Sequence, residues 1–378
     1  MDYYFNSVQV YQGKNCIREL SKILDTLSMD KQTVLVLQWD DSVRENEDVQ
    51  NIVKEYANIN WEFCTFQKSN PEVTDLYELY EKTKNMEIQL VVAVGGGSVL
   101  DVAKSLCCIH KEQIDSEKQL VEGIKNKTYQ NPVCPWVGVP TTSGTGSEVT
   151  CWATIWNPKE NSKFSLECRE NYAYAAFVDS QFTSSMPAKL AVSSALDAVA
   201  HATESYWAKG TNTVSKALAF RAISLIMSHI EELFDEEKEE QAHAYMAQGS
   251  VLAGMAFSNT KTTACHSLSY PLTLNYQIPH GIAVSMLLVP IMRINSAVVE
   301  NMEELLAAFH VDSIDALNDK IHALMEKAEI SFCLKEWKVK QEELAFLAEH
   351  GGTKGRIDNN PVDLSKEQIV EILQSVYE

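Results

Sequence analysis

The sequence contains few basic residues relative to acidic ones, and its basic residues do not cluster. Its 378 residues include 32 Lys and Arg against 52 Asp and Glu, which gives a formal net charge of −20 at pH 7, and no Lys/Arg-rich run occurs. Proteins that bind nucleic acid are expected to carry a basic patch. We therefore expect no nucleic-acid partner, and we expect any anionic small molecule to need a local cationic pocket within the wider negative field.

Long apolar runs and ordered cysteine spacing are also missing. The longest apolar-rich stretch, residues 281–292, is too short to span a bilayer. The N-terminal MDYYFNSVQV lacks the basic-then-apolar pattern of a signal peptide. The nine cysteines show no C-x-x-C spacing, so we interpret them as reduced thiols rather than as a disulfide framework. These absences predict a cytoplasmic protein with no membrane partner.

What the sequence does contain is enough apolar content, 45%, for a large core, and its length predicts two domains. In the first half, short β-branched runs alternate with helical stretches, which predicts βαβ units and a parallel sheet. Beyond about residue 190, apolar residues recur at helical spacing. We predict an α/β domain over residues 1–180 and an all-helical domain over 181–378. The predicted strands are 33–37, 60–66, 90–94 and 137–140, and the predicted helices are 192–207, 215–234, 239–257 and 302–327.

A glycine-rich turn follows the strand at 90–94, in VVAVGGGSVLDVAK. Glycines let a backbone approach a ligand closely, and the N-terminus of the next helix would suit a pyrophosphate. The alternative is a tight turn with no ligand. The later segment TTSGTGSE, residues 141–148, also allows two interpretations: it could line a nucleotide cleft, or it could simply form a serine/threonine turn.

Four residues form a candidate metal set. Asp197 and His201 lie four apart in VSSALDAVAHATESYW and therefore share one helix face. An Asp–His hydrogen-bonded pair would explain those two alone. His266 and His280, each beside apolar sequence, would complete an oxygen-and-three-nitrogen set suited to Fe²⁺ or Zn²⁺.

Together, GGGSVLDVAK, PTTSGTGSEVT, ALDAVAHATESYW and the His266…PHG pattern resemble the iron-containing (group III) alcohol dehydrogenase family over nearly the whole chain. The resemblance implies a Rossmann-like α/β domain followed by a helical domain, with the site in the cleft between them, and a homodimer. It implies that Asp197, His201, His266 and His280 hold the metal. It also implies cofactor contacts by Gly96, Gly97, Ser98 and Asp101 with the pyrophosphate, by Thr141, Thr142 and Thr145 with the adenosine and ribose, and more loosely by Asn70, Lys163 and Leu190.

The chemistry implied by this resemblance is aldehyde reduction, with the cation as Lewis acid and a nicotinamide as hydride donor. An acidic residue in Gln38-Trp39-Asp40-Asp41 would repel a 2′-phosphate, but NADH and NADPH both stay open. Many family members carry a histidine where this chain has Tyr270. A Tyr hydroxyl, with its ordinary pKa near 10, is a poorer proton shuttle, so the proton route is left open.

Two cations predict an anion-binding pocket. Lys261 lies among threonine hydroxyls in Ser258-Asn259-Thr260-Lys261-Thr262-Thr263, and Arg356 lies in GRIDNNP, where relatives place a small residue or Cys near the pocket. Lys and Arg beside hydroxyls suit a phosphonate, phosphate or sulfonate. Solvated surface cations are the alternative.

Further segments, namely TIWN, KFSL, ATESYW, TKTTACHSLSYPLTL and GRIDNNP, resemble phosphonoacetaldehyde reductases of the same family. The substrate they imply is a small aldehyde with an anionic tail. The competing hypotheses are a general short-chain alcohol or butanol dehydrogenase, a sulfoacetaldehyde reductase, a phosphate-eliminating enzyme of the dehydroquinate synthase type, and a non-catalytic nucleotide-binding assembly protein.

Overall fold

A computed structural model describes residues 2–129, 131–160 and 162–378. The described chain divides into two compact units, and neither unit is a single continuous stretch of the sequence. An α/β unit contains residues 6–142 and 147–183, and a helical unit contains residues 184–378 together with 2–5 and 143–146.

The α/β unit is built on a six-stranded parallel sheet with the order β1-β8-β5-β4-β2-β3, beside an antiparallel β6-β7 pair. The strands are β1 Gln9–Gln12, β2 Thr33–Gln38, β3 Asn60–Thr65, β4 Ile88–Gly95, β5 Trp136–Pro140, β6 Trp152–Asn157, β7 Ser162–Glu167 and β8 Ala175–Val178. The helices are α1 Leu20–Thr26, α2 Ser42–Glu45, α3 Glu47–Glu55, α4 Val73–Thr83, α5 Gly97–Ile109 and α6 Glu117–Lys125.

The central strands are apolar throughout because both faces of the sheet are covered. In β2, Val34 and Val36 pack into the core on one face, while Leu35 and Leu37 pack into the core on the other. A strand buried on both sides cannot alternate polar with apolar residues, which explains why β2 and β4 are continuous apolar runs. All four strands that the sequence predicts are present.

The helical unit is arranged around one long buried helix, α7, which packs against α8, α9 and α11. Its helices are α7 Ala188–Trp207, α8 Thr213–His229, α9 Glu239–Thr260, α10 Ala264–Tyr276, α11 His280–Asn295, α12 Met302–Ala308, α13 Ile314–Lys327, α14 Leu344–His350 and α15 Lys366–Ser375. Together with the parallel sheet of the other unit, they confirm the predicted fold class. No described helix combines the length and the apolar content needed to cross a membrane.

The single helix predicted over 302–327 is wrong. The chain forms α12 and α13 instead, and His310 between them adopts a left-handed backbone with φ 59°. Ser313 then caps α13 by accepting a hydrogen bond from the Ala316 N–H. The apolar periodicity persists through this region because both helices bury one face, so periodicity alone does not reveal the break.

Candidate metal centre and cofactor turn

One face of α7 carries three ionisable side chains at helical spacing. Asp197, His201 and Glu204 are four and then three residues apart, and their exposed fractions are only 4%, 6% and 0%. The rest of α7 is rich in alanine, and small side chains let α9 and α11 approach it closely. These three ionisable groups are therefore shielded from water and need partners in the interior.

His266, in the first turn of α10, supplies the third member of the cluster. Ligand atoms of Asp197, His201 and His266 all lie within 4.8 Å of one another. The nearest His201 and Asp197 atoms, Nδ1 and Oδ2, are 3.8 Å apart, which is too far for a hydrogen bond. The structure thus contradicts the alternative of a hydrogen-bonded Asp–His pair.

The donor set fits a divalent cation. Asp197 Oδ1, His201 Nδ1 and His266 Nε2 are buried and have no hydrogen-bond partner among the described residues. Buried polar atoms are rarely left without partners, and three such atoms in one cluster indicate a shared partner. One carboxylate and two imidazoles are a ligand set typical of Fe²⁺ and also acceptable to Zn²⁺.

The electrostatics of the cluster also call for a positive charge. Burial alone would raise the pKa of Asp197, but the neighbouring imidazoles hold that pKa well below its usual range. Burial, with the charge of His266, lowers the pKa of His201 to about 3. Burial would lower the pKa of His266 as well, yet Glu204 and Asp197 raise it to about 10. Without a cation, the protonated ring of His266 therefore lies between two carboxylates, and a bound metal would displace the proton on Nε2, which faces Asp197.

His280 reaches the same region through a close contact between helices. A Cβ atom on Gly281 would lie 2.4 Å from the Ser193 carbonyl oxygen and 3.3 Å from Asp197 Cβ, so only glycine lets the first turn of α11 touch α7 here. The His280 ring lies edge-on to His266 with centroids 5.4 Å apart. Tyr270, one turn after His266 on α10, stacks on His280 with centroids 6.0 Å apart. The assignment of His280 as a fourth ligand stays a prediction.

Glu204 was not predicted from the sequence, although both of its carboxylate oxygens are hydrogen-bonded beside the cluster. Its Oε1 accepts hydrogen bonds from Thr263 Oγ1 and the Cys265 N–H, both at 2.7 Å, and its Oε2 is bonded to His266 Nδ1. This bond places the proton of the neutral imidazole on Nδ1, which faces Glu204. The other nitrogen, Nε2, then faces Asp197 and is the atom that can bind a metal. The i, i+4, i+7 spacing from Asp197 would have indicated this residue.

In the α/β unit, the structure brings several predicted cofactor residues to the carboxyl ends of β4 and β5. Gly95 and Pro140 are paired at that edge, and a Cβ on Gly96 would lie 3.3 Å from Thr142 Cγ2. The Asn70 N–H donates to Ser98 Oγ at 3.2 Å. Gly97 begins α5, which has no side-chain cap at its N-terminus among the described residues. Helix N–H groups in this arrangement suit a pyrophosphate.

Other predicted cofactor residues lie elsewhere. Asp101 accepts hydrogen bonds from Ser147 Oγ at 2.5 Å and the Thr154 N–H at 2.8 Å, so its carboxylate fastens β6 to α5. Lys163 on β7 lies over the Trp156 ring. Leu190 is an exposed residue of α7, and Thr145 belongs to the helical unit while Thr141 belongs to the α/β unit. Cofactor roles for these residues stay predictions.

The threonine hydroxyls that the sequence placed around an anion are largely committed to α7. Thr263 Oγ1 donates to Glu204 and accepts from Trp207 Nε1 at 3.0 Å, while Thr260 Oγ1 is bonded to Ser205 Oγ at 3.0 Å. Two of the three hydroxyls are thus bonded to side chains of α7, and the Thr263 bond reaches Glu204, the partner of His266. A sequence pattern cannot show this, because the choice of partner depends on which helix packs against the loop.

Lys261, which ends α9, has an unusual backbone. Its φ of 63° and ψ of 175° fall in a region that is essentially reserved for glycine and costs another residue about 1–3 kcal/mol. The Lys261 N–H donates to the Phe257 carbonyl at 2.8 Å, so the helix is closed normally before the strained residue. Strain of this kind persists only where surrounding contacts impose it.

The segment that carries Arg356 is hydrogen-bonded to the Lys261 loop, residues 260–263 at the junction of α9 and α10. Asn359 Nδ2 donates to the Thr260 carbonyl at 2.8 Å and to the Thr262 carbonyl at 3.1 Å. Ser267 Oγ, next to His266, donates to the Gly351 carbonyl at 2.6 Å and accepts from the Thr353 N–H at 2.8 Å. Residues 351–360 are therefore attached on both sides of the stretch that leads from Lys261 to His266.

Comparison with known proteins agrees with this site. A family model described as iron-containing alcohol dehydrogenase matches residues 7–180, and one described as the C-terminal part of the Fe-containing alcohol dehydrogenase family matches residues 191–377. NADPH-dependent butanol dehydrogenase from Clostridium saccharobutylicum is 27% identical, over 97% of this chain and 96% of its own. 1,3-Propanediol dehydrogenase from Citrobacter freundii is 30% identical, over 82% and 81%.

Among solved structures, sulfoacetaldehyde reductase from Bifidobacterium kashiwanohense in complex with NAD⁺ has a TM-score of 0.87 at 27% identity, covering 100% of this chain and 98% of that one. The family matches extend over both units, and the metal cluster and the glycine turn each lie within a matched segment. The chain therefore belongs to the iron-containing alcohol dehydrogenase family, and it is an NAD(P)-linked oxidoreductase of alcohols and aldehydes.

Proposed function

We propose that this enzyme reduces a small aldehyde with an anionic tail, and that phosphonoacetaldehyde, reduced to 2-hydroxyethylphosphonate, is its substrate. The metal would supply Lewis acidity at the carbonyl oxygen, and the nicotinamide would supply the hydride. In this scheme Asp197, His201 and His266, with His280, hold the metal, while Lys261 and Arg356 bind the tail.

The observation that carries this proposal is the attachment of the Arg356 segment to the Lys261 loop through Asn359. Lys261 precedes His266 by only five residues, and α10 begins between them. Five residues extend no more than about 18 Å, which sets the largest distance between the Lys261 and His266 Cα atoms. Lys261 and Arg356 are both half-buried rather than fully solvated.

The overall charge strengthens the case for a dedicated tail pocket. With a net charge of −20, the protein repels an anionic substrate unless cations stand where the tail binds. By analogy with a phosphate ester, a phosphonate carries about −1.5 to −2 charges near neutral pH, which two cations would match. A sulfonate carries a single charge.

Two other substrates have specific support. The similarity to a sulfoacetaldehyde reductase favours a sulfonate tail, and the similarity to a butanol dehydrogenase over nearly the whole chain favours a neutral aldehyde. A panel of phosphonoacetaldehyde, sulfoacetaldehyde and butanal, tested with NADH and with NADPH on Fe²⁺-loaded enzyme, separates the three. We expect the highest kcat/KM for phosphonoacetaldehyde, and a clear preference for butanal would contradict the proposal.

Lys261→Met, which keeps the length of the side chain and removes its charge, is expected to raise KM for phosphonoacetaldehyde about 10- to 100-fold. A hydrogen bond to a charged group contributes about 1.5–3 kcal/mol, and each 1.4 kcal/mol is a factor of ten. Steady-state kinetics with phosphonoacetaldehyde and with neutral propanal measure the effect.

The matched control is Lys335→Ala, which removes an exposed lysine that pairs with Glu378 in the same unit. It lowers the total positive charge equally but should leave KM for phosphonoacetaldehyde within about twofold of the unmodified enzyme, because exposed ion pairs contribute little. Equal increases in KM for the charged and the neutral aldehyde in Lys261→Met would rule out a tail pocket at Lys261.

A further inference from the structure

We propose that Asn359 is a positioning residue that holds Lys261 in place for the substrate tail, and so determines selectivity for anionic over neutral aldehydes. This inference rests on the proposed function, because it acts through the same lysine. Nothing in the family resemblance or in the comparisons assigns a role to Asn359.

The side-chain amide of Asn359 makes three hydrogen bonds. Its Nδ2 donates to the carbonyls of Thr260 and Thr262, the residues on either side of Lys261, and its Oδ1 accepts from the Gly210 N–H at 3.3 Å. An amide supplies two donors from one nitrogen and an acceptor beside it. Among the short side chains, only an asparagine can bridge two carbonyls and accept a third hydrogen bond.

The bridged residue is the one whose backbone is strained. Lys261 has a φ of 63° with an extended ψ of 175°, a conformation that glycine adopts freely and lysine does not. Asn359 holds the carbonyl of the peptide before Lys261 and the carbonyl of Thr262, and Thr260 Oγ1 donates to the Lys261 carbonyl at 3.1 Å. The backbone is therefore restrained on both sides of the strained residue. The presence of a lysine where glycine would fit best indicates that its side chain is needed at this position.

The backbone of Asn359 adds a second attachment. Its carbonyl accepts from the Lys209 N–H at 2.9 Å, just beyond the end of α7, the helix that carries Asp197 and His201. Asn359 thus links three pieces of the helical unit: the end of α7, the strained loop before α10, and the segment that carries Arg356. A shift of this residue would displace Lys261 relative to the metal ligands without touching them.

The first experiment compares Asn359→Ala with Asn295→Ala in the full-length, Fe²⁺-loaded enzyme. Asn295 and Asn360 form a reciprocal buried amide pair at 3.0 and 2.9 Å that holds the same C-terminal segment through bonds other than those to the Lys261 loop. We expect Asn359→Ala to raise the ratio of KM for phosphonoacetaldehyde to KM for propanal about tenfold. Asn295→Ala should lower Tm and leave that ratio unchanged. Equal changes of the ratio in both variants would overturn the proposal.

The second experiment repeats Asn359→Ala in a Lys261→Gly background. Glycine adopts this backbone conformation without the hydrogen bonds of Asn359, and it has no cationic side chain to position. Asn359→Ala should therefore add no further change to the KM ratio in this background. A tenfold increase in both backgrounds would show that Asn359 does not act through Lys261, and would refute the inference. If Lys261→Gly alone leaves the ratio unchanged, the tail pocket fails, and with it both the proposed function and the inference.

Stability gives an independent readout of the strain. Lys261→Gly should melt about 2–4 °C above Lys261→Ala, since both remove the side chain and only glycine relieves the positive φ. A lower Tm for the glycine variant than for the alanine variant would contradict the backbone strain inferred at residue 261. Should Asn359→Ala not fold, Asn359→Ser replaces it, because a hydroxyl has a single donor and cannot bridge both carbonyls, so the KM ratio should still rise.

Discussion

Exhaustive removal of metal with a chelator is expected to abolish aldehyde reduction, and added Fe²⁺ is expected to restore it. The loss should be at least about 1000-fold, because a Lewis acid contributes several kcal/mol and each ~1.4 kcal/mol is a factor of ten in rate. The metal-free protein should stay folded but melt at a lower temperature, since a cation that binds only the native state stabilises it. Activity assays and thermal melts, each with and without Fe²⁺, measure both effects.

Asp197→Asn gives the same test without a chelator. The amide keeps the shape of the side chain but removes the negative charge from the cluster of Asp197, His201 and His266. Metal content measured by mass spectrometry should fall well below that of the unmodified enzyme. His322→Gln, which changes an exposed histidine on α13, should keep its metal content. Full activity in thoroughly metal-free protein would exclude the mechanism.

Much of the fold could be predicted because its signals are local. The strands β2 and β4 are unbroken apolar runs, and α7, α8 and α9 have apolar residues at helical spacing over many turns. The sequence did not predict β1 and β8, which have only four residues each, or the β6-β7 pair, whose residues are mixed. Short strands are defined by their partners rather than by their own composition.

Packing also decides details that no local pattern shows. Residues 143–146 belong to the helical unit, where a Cβ on Gly144 would lie 2.8 Å from the Ser194 carbonyl oxygen and one on Gly146 would lie 2.5 Å from Gly254 Cα. From the sequence alone, these glycines indicate a turn and not a close contact with particular helices. The partners that make glycine necessary become visible only in the folded chain.

The residues of the candidate site also fall into two groups, those that local spacing indicates and those that only packing reveals. Asp197 and His201 could be paired from their spacing on one helix, and the same spacing extended by three residues would have included Glu204. Asn359 could not be found, because the carbonyls it bonds lie 99 and 97 residues away in the chain. For a similar reason, the sequence could not show that two of the threonine hydroxyls before His266 bond side chains of α7.

Glu204→Gln is expected to weaken metal binding about 10- to 100-fold, the usual cost of losing the carboxylate that orients a histidine ligand. If the amide nitrogen of Gln takes the place of Oε2, it faces His266 Nδ1 and forces the ring proton onto Nε2, the atom that must bind the metal. If it takes the place of Oε1, it opposes the Cys265 N–H, which then loses its acceptor. The first orientation disfavours the tautomer that binds the metal, and the second keeps that tautomer only by giving up the Cys265 hydrogen bond. Titration calorimetry with Zn²⁺, or with Fe²⁺ under anaerobic conditions, measures the affinity.

Ser205→Ala is the matched control, because it changes the next residue of α7 and removes a hydrogen bond to Thr260 on the same loop. It should lower stability by about 0.5–1.5 kcal/mol without altering metal affinity. Glu204→Gln should differ from it in a second way: excess metal should restore most of its activity, since the metal ligands themselves are intact. Unchanged metal affinity in Glu204→Gln would mean that Glu204 only stabilises the fold. In that case the geometry of His266 would have to be set by the packing of α10 against α7 alone.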